Sequence, residues 1–491
     1  MTRSDDSGED SSSRPPAPAE AALHPIAPFP RGKGAWLAEL RWPGKRALEG
    51  IADAEASLRA SFGPPGEGWR DRIYEGENLA AFGHLLRAHR EQVDLVYIDP
   101  PFDSGAEYAM RIKLRAPGTE LAKLTLEEVQ YRDVWAGAEY LDFIYERLAA
   151  LVELLAPTGL ICVHVDPRQS HRVRAILDEL LGSLAFRAEI AWRLGNGAKS
   201  RSFVSNDHNS LLLYSKGTRW TFEADSPELR EPFAAGSLQM HFREIDAAGR
   251  RFRRRKVGTK EYLYYADEGK RVGSVWTDLS SMRANSPIMA ETTGYPTQKP
   301  ESLLRRIVSA FSRPGDLVLD GFMGSGTTLA VAAALGRRFV GVDRQGAAVS
   351  LAIRRLLSGE APAGAFDLYA LRAPEPVSTP SAGPSAPVIR ARLEADRLRI
   401  EGFEPPRLRS LLEARGLRVE DWRALVDRVS IDPDFDGEVL RPTLHDLPGR
   451  GERVHGEYRL PPLERGRPSR GRLRLELTDV LQRRHMLTLD R

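Results

Sequence analysis

Apolar positions along this chain fall into two rhythms. Short, nearly unbroken apolar runs, such as "VDLVYI" over Val93–Ile98 and "LICVHV" over 160–165, alternate with longer stretches in which apolar residues recur every three or four positions. An unbroken run of this length suits a parallel strand covered on both faces, and the 3.6-residue recurrence suits a helix with one buried side. "YEGENLAAFGHLLRAHREQ" therefore predicts a helix feeding the first strand. "YLDFIYERLAALVELL" predicts a second helix stopped at Pro157, Thr158 and Gly159, followed by the 160–165 strand and a helix "SHRVRAILDELL" closed by Gly182. "AEIAWRL" and "SLLLYSK" read as strands joined by a polar loop. From Gly217 to about Ser286 the periodicity fades. Then come a helix "ESLLRRIVSAFS", a strand–glycine loop–helix–strand unit "PGDLVLDGFMGSGTTLAVAAALGRRFVGVD", a helix "QGAAVSLAIRRLL" and a strand "AFDLYAL". Strands alternating with helices predict an α/β sheet with helices on both faces, and in such sheets ligands sit beyond the carboxyl ends of the strands.

Composition adds boundaries. Residues 1–35 are rich in Ser, Pro, Gly and acid and read as a disordered tail, and 373–390 read as a Pro/Ser-rich linker. Residues 391–491 carry short strand-like pieces and read as a small, separate, largely β unit. Lys and Arg number 71 against 68 Asp and Glu, so any affinity for a polyanion has to come from a local patch. The single cysteine, Cys162, lies in an apolar run; it excludes a disulfide framework within the chain and reads as an inert buried thiol. No run of 18 apolar residues occurs and the N-terminus lacks the apolar core of a secretory signal, so a soluble, cytoplasmic protein without a membrane span is expected.

The candidate chemistry begins where the first strand stops, on Asp99, Pro100, Pro101 and Phe102. Proline has no N–H and a fixed φ, so the pair makes a stiff, extended turn that leaves the Pro100 carbonyl free to point into a cleft beside the Asp99 carboxylate. Two rigid acceptors side by side match the two N–H donors of an exocyclic amine on a nucleobase, with Phe102 available to stack on the ring. An aromatic amine is a poor nucleophile because its lone pair is delocalised. Fixed acceptors favour a more tetrahedral nitrogen and stabilise the positive charge that grows as a methyl group arrives.

The second piece is the glycine loop, with Gly321, Gly324 and Gly326 after a strand, a helix opening at about Thr327, and Asp343 ending the next strand. Glycines permit a tight turn and close backbone approach by a ligand, and an acid at Asp343 can accept hydrogen bonds from ribose hydroxyls. The spacing is not G-x-G-x-x-G. By itself the loop is compatible with a methyl donor, another nucleotide or a structural turn.

Taken together, "YIDPPFDSG", "YPTQKPESLLRRIV" and "DLVLDGFMGSGTTLAVAAALGRRFVGVD" resemble the amino-DNA methyltransferases that act on adenine N6 or cytosine N4, in the order of the circularly permuted β class found among restriction-modification subunits; the likeness covers about residues 70–372. "YRDVWAGAEYLDFIYERL" and "EIAWR" followed by "HNSLLLYSKG" also look like that family. The resemblance implies a Rossmann-like methyltransferase sheet, circularly permuted, with a catalytic half at 36–216, an inserted target-recognition region at 217–290, a donor-binding half at 291–372 and the C-terminal β-rich unit. It implies Asp99, Pro100, Pro101 and Phe102 as the catalytic motif, and Asp320, Phe322, Gly324, Gly326, Thr327 and Asp343 as the S-adenosylmethionine site. Thr297, Lys299 and Pro300 match the segment that closes over the donor's methionine end. Gly321 departs from the family, which often has proline there; the glycine is expected to loosen the turn.

The activity the resemblance implies is transfer of a methyl group to adenine N6 in double-stranded DNA, in line and without a covalent intermediate, on a base flipped out of the duplex. Cytosine N4 methylation, a non-catalytic DNA-binding scaffold and an RNA-modifying enzyme are the alternatives. A restriction or phage-defence subunit and a homodimer are possible partners. Arg251, Arg253, Arg254, Arg255 and Lys256 form the densest basic run, interleaved with Phe252, Tyr262, Tyr264 and Tyr265, and read as either a DNA contact or a solvated face. His164 and Asp166 end the second strand, where they either line the base pocket or satisfy backbone groups, and His208 and Asn209 likewise either line that pocket or structure a loop. Trp135 and Trp276 read as packing residues that the resemblance places near the cleft. No group of His, Asp or Glu has metal-ligand spacing, and none is expected to bind metal.

Overall fold

The computed structural model describes residues 23–26, 39–115, 124–195, 201–282, 291–359, 364–372, 387–449, 451–462 and 470–491. Most of the tail expected at 1–35 and of the linker expected at 373–390 lies outside these residues.

A ten-stranded sheet organises the described chain. In chain order its strands are β1 (Ala56–Phe62), β2 (Asp71–Glu75), β3 (Val93–Ile98), β4 (Leu155–Val165), β5 (Phe186–Arg193), β6 (His208–Ser215), β7 (Val275–Trp276), β8 (Leu317–Asp320), β9 (Arg338–Asp343) and β10 (Phe366–Leu371). Across the sheet the order is β7-β5-β6-β4-β3-β8-β9-β2-β10-β1. The strands from β4 to β10 run parallel, and β6 and β1 run against their neighbours. The two strands that carry the candidate chemistry, far apart in sequence, are therefore adjacent: Val318 pairs with Leu95 and Leu319 with Val96.

The apolar runs explain this placement, because each central strand is covered twice. Val96 and Ile98 face one cluster with helices α1 (Asn78–His89), α2 (Glu139–Leu154) and α3 (Ser170–Leu181), while Leu95, Tyr97 and Val318 face another with α4 (Glu301–Phe311), α5 (Thr327–Ala334) and α6 (Gly346–Ser358). Each fully buried aliphatic side chain contributes roughly 1.5–3 kcal/mol, so a central strand cannot turn over without losing one face. Cys162 sits inside β4, fully buried, and burial pushes its thiol up. Among the described residues no helix is long and apolar enough to cross a membrane.

Four expectations needed correction. The second helix ends at Leu154, before the Pro-Thr-Gly stop, because sheet pairing claims the chain first: Val93 pairs with Leu155 and the Gln92 N–H donates to the Leu154 carbonyl. Within the supposed tail, Leu23–Pro25 forms a strand against Gly50–Ala52, anchored by the buried Ile26; composition averaged over the tail hides so short a pairing. Residues 388–390 of the supposed linker belong to the strand Val388–Glu394. The C-terminal unit is largely β, with three- and four-stranded sheets and the helix Pro406–Glu413, but it is not separate. Its Leu440 exchanges backbone hydrogen bonds with Arg59 and Ser61 of β1, and its apolar residues share one core with an antiparallel hairpin, Ala106–Lys113 and Thr125–Asp133. That hairpin has no clear pattern in the sequence. One of its faces is buried in a core made by that unit together with Tyr295, Ala348 and Leu351.

Candidate active site

The carboxyl ends of β3, β8 and β9 open into one cleft. It is lined by Asp99 and Pro101, by Thr297 and Lys299, by Asp320, Phe322, Gly324 and Thr327, and by Asp343. The structure thus gathers the two distant motifs on one wall. Pro100, Phe102, Pro300 and Gly326 do not line it. Pro100 is buried, and Pro300 is the residue on which α4 begins. Gly326 holds a left-handed conformation (φ 76°) at the start of α5, where a Cβ would lie 2.6 Å from that of Ala352. It permits close helix packing. Phe102 is half-buried, its ring 6.1 Å from that of His164.

The three aspartates that line the cleft differ in their partners. Asp320 accepts from the Phe322 N–H (3.0 Å) through Oδ1 and from the Thr328 hydroxyl (2.6 Å) through Oδ2; burial pushes it up to about 7. Asp343 accepts from the N–H groups of Gly324 (3.0 Å) and Gln345 (2.8 Å), and burial pushes it up to about 6. Both acids hold the glycine loop in shape through backbone donors. Asp99 has one partner, the Lys299 ammonium on Oδ2, while its buried Oδ1 has no hydrogen-bond partner among the described residues. Burial raises the Asp99 carboxyl above the usual range and the Lys299 charge acts against that rise. Lys299 is held in turn by the Thr297 carbonyl at 3.0 Å.

The departure at Gly321 has a steric cause. A Cβ there would lie 2.5 Å from the ring of Phe82 on α1, so α1 packs into the space a larger residue would need. Its carbonyl accepts from the Asn78 amide at 3.1 Å, which ties the turn down, contrary to the loosening expected.

Several residues at the cleft were not singled out in the sequence. Asp133 accepts from the N–H groups of Phe102 (3.1 Å), Asp103 (2.9 Å) and Ser104 (2.9 Å), and from the Trp135 indole (3.0 Å). The turn after Asp99 is thus wrapped around a carboxylate on another strand. Asn78 and Glu77 line the cleft and hold the buried Arg147 at 2.8 and 2.6 Å. Trp135 also lines the cleft; Trp276 does not, but pairs with Trp192 at the sheet edge and lies under Arg306. Only "YRDVW" hinted at Asp133, and nothing local marks an acid whose partners are backbone groups some thirty positions earlier.

Of the strand-end residues, Asp166 satisfies backbone groups, accepting from Arg168 and Gln169 N–H at the start of α3. His164 does not: its ring is fully buried, contacting Tyr97 Oη (3.0 Å) and Asn209 Nδ2 (2.9 Å), with Nδ1 3.8 Å from the free Asp99 oxygen. Burial, with Lys299 nearby, holds this imidazole well below its ordinary value, so it is neutral.

The basic run forms the strand Arg251–Val257, paired with Lys260–Tyr265. Arg251 caps the carbonyls of Leu238 and Phe242, Arg253 stacks near Phe242 and Tyr264, and Arg254 pairs with Glu244 (2.7 Å) and Glu261 (3.4 Å). Arg255 and Lys256 are exposed and have no ion pair among the described residues.

A family model described as DNA methylase, of the N6_N4 type, matches residues 93–354, more than half of the chain. Among curated proteins, the chain is 26% identical over 335 residues to "Type II methyltransferase M.EcaI" of Enterobacter cloacae, covering 59% of this chain and 70% of that one. It is 26% identical over 286 residues to "DNA adenine methyltransferase YhdJ" of Escherichia coli (strain K12), covering 58% and 82%. Among solved structures, the putative DNA modification methylase TTHA0409 from Thermus thermophilus, complexed with S-adenosyl-L-methionine, aligns at 19% identity over 62% of this chain and all of that one, with a TM-score of 0.36.

Proposed function

The chain belongs to the N6_N4 DNA methylase family, and on that premise we propose that it transfers a methyl group from S-adenosylmethionine to the exocyclic N6 amine of adenine in double-stranded DNA. One observation carries this reading: Asp99 lines the same cleft as the 320–327 loop and Asp343, and its buried Oδ1 has no hydrogen-bond partner among the described residues. An acceptor left without a donor in a buried site costs about 1–3 kcal/mol, and an amine N–H would recover it.

The cleft suits the donor. Asp343 ends the strand next to the glycine loop, where its remaining lone pairs can take ribose hydroxyls, and Phe322 and Tyr295 offer apolar walls. The donor supplies an electrophilic methyl on a sulfonium. Everything else falls to the chain. Asp99 Oδ1 accepts an amine N–H bond and orients the nitrogen lone pair; the Lys299 charge opposes the rise that burial imposes on the carboxyl; His164, pinned by Tyr97 and Asn209, lies 3.8 Å from that oxygen as a neutral ring. Such a site cannot admit a stacked base, which supports base flipping.

Adenine is favoured over cytosine N4 because Asp-Pro-Pro-Phe resembles the adenine enzymes more than the serine-led motif common among cytosine N4 enzymes. The adenine relative YhdJ agrees with that. The 217–290 segment is proposed as the target-recognition region, with Arg255 and Lys256 contacting phosphate. Relatives named as type II methyltransferases make a restriction or defence partner a reasonable expectation.

Sequencing of modified bases in DNA from cells expressing the chain tests the reading: N6-methyladenine at one sequence context is expected, and its absence from cells expressing Asp99→Ala. N4-methylcytosine instead would overturn the choice of base. No modified base, with no transfer to duplex DNA or RNA in vitro, would overturn methyl transfer itself.

A further inference from the structure

The family match ends at residue 354, and the C-terminal unit lies beyond it. Its contacts run toward the cleft. The hairpin Ala106–Lys113 and Thr125–Asp133 buries Met110, Ile112 and Leu126 in the same core as Leu398, Phe403, Leu425 and Leu477 of that unit. Glu128 on the hairpin accepts from Arg483 at 2.6 Å, with Arg407 at 3.7 Å. Arg115, just past the first hairpin strand, donates its N–H to the Ala424 carbonyl (3.1 Å) and its guanidinium to the buried Asp427.

The same hairpin grips the active site twice. Asp133 takes the N–H groups of Phe102, Asp103 and Ser104 on its carboxylate and that of Gly105 on its carbonyl. The Arg111 N–H donates to the Gly294 carbonyl at 3.1 Å, and Tyr131 Oη lies 3.3 Å from Thr297 Oγ1, in the segment that ends at Lys299. Asp103 (φ 55°) and Thr297 (φ 59°) both hold left-handed conformations without being glycine. For a β-branched threonine this is a strained state that persists only where its surroundings impose it.

We infer that the C-terminal unit is a brace for the catalytic turn: it fixes the hairpin, and the hairpin fixes both the turn after Asp99 and the segment that delivers Lys299. Asp133 and Arg483 are positioning residues in this arrangement. The turnover arm of the test rests on the methyl-transfer reading, and the backbone arm does not.

Hydrogen exchange on the full chain tests it, alongside steady-state kinetics, in Arg483→Gln, Asp427→Asn and the control Arg399→Gln, which breaks an exposed ion pair with Glu457 within the C-terminal unit. Arg483→Gln is expected to speed exchange of the Phe102, Asp103 and Ser104 amides about three- to tenfold and to lower kcat by a similar factor, with KM for DNA within about twofold. Asp427→Asn should do more, and Arg399→Gln neither. Should Asp427→Asn fail to fold, Arg483→Gln decides the matter alone. The brace is overturned if exchange at residues 102–104 in Arg483→Gln matches wild type, whatever happens to turnover. Faster exchange there, in a chain that transfers no methyl group, would uphold the brace and sink the methyl-transfer reading.

Discussion

Asp99 and Asp320 end neighbouring parallel strands and face one cleft, yet they are built for different work. Both oxygens of Asp320 are taken by Phe322 N–H and the Thr328 hydroxyl, so this acid shapes a loop. Among the described residues Asp99 has one hydrogen-bond partner, the Lys299 ammonium, and a buried oxygen left over. A carboxylate saturated by its own loop is a structural element, whereas one paired with a single side chain keeps an acceptor for another donor. The same residue type at the same place in a sheet acquires its role from what surrounds its two oxygens.

The comparison can be broken most directly at its reactive side. Asp99→Ala should lower kcat on the order of 10³-fold or more, with donor affinity by calorimetry within about twofold. Turnover equal to wild type would end the distinction. Asp320→Ala should show the reverse pattern: about 1–3 kcal/mol lost in donor binding and a lower Tm from the orphaned loop donors, with kcat at saturating donor largely kept. If it instead matches Asp99→Ala, the two acids are not different in kind.

Titration sharpens the contrast. Lys299 holds the Asp99 carboxyl down against burial, so Lys299→Met raises it further and less of it is ionised at a given pH. The acid limb of the kcat profile should therefore move to higher pH, with the deficit largest at low pH; an unmoved limb would remove Lys299 from this role. Asp320, pushed up to about 7, binds its proton more tightly folded than unfolded. Its share of stability is thus greatest at low pH and is lost as pH rises from about 4 to about 7. Asp320→Asn should flatten that part of a Tm-against-pH curve. The smallest effect is expected at the basic strand, where Arg255→Ala should weaken DNA binding a few-fold across sequences and lower the salt slope by about one.

Legibility in the sequence followed the range of the interactions. The covered strands, their helices and the glycine loop were readable because strand-length apolar runs, 3.6-residue recurrence and closely spaced glycines are local properties. Asp99, Lys299, Asp320 and Asp343 were found through motifs of a few adjacent residues. Asp133, Asn78 and Arg147 were missed because their partners lie on other elements. The hairpin and the first two sheet strands were missed too, since each offers only a few buried apolar residues among polar ones. Phe82 could not be connected with Gly321 from the sequence, as that contact exists only once α1 packs on the sheet.

By itself the sequence determined which segments become strands and helices and which acids stand at strand ends, because propensity and periodicity act over neighbouring residues. Only the tertiary structure decided that two of those ends adjoin, that Asp99 keeps an oxygen without a partner among the described residues while Asp320 and Asp343 are engaged by the loop, and that the C-terminal unit reaches the turn after Asp99 through a hairpin. Those outcomes depend on burial and on hydrogen bonds between distant segments, which exist only after the chain has packed.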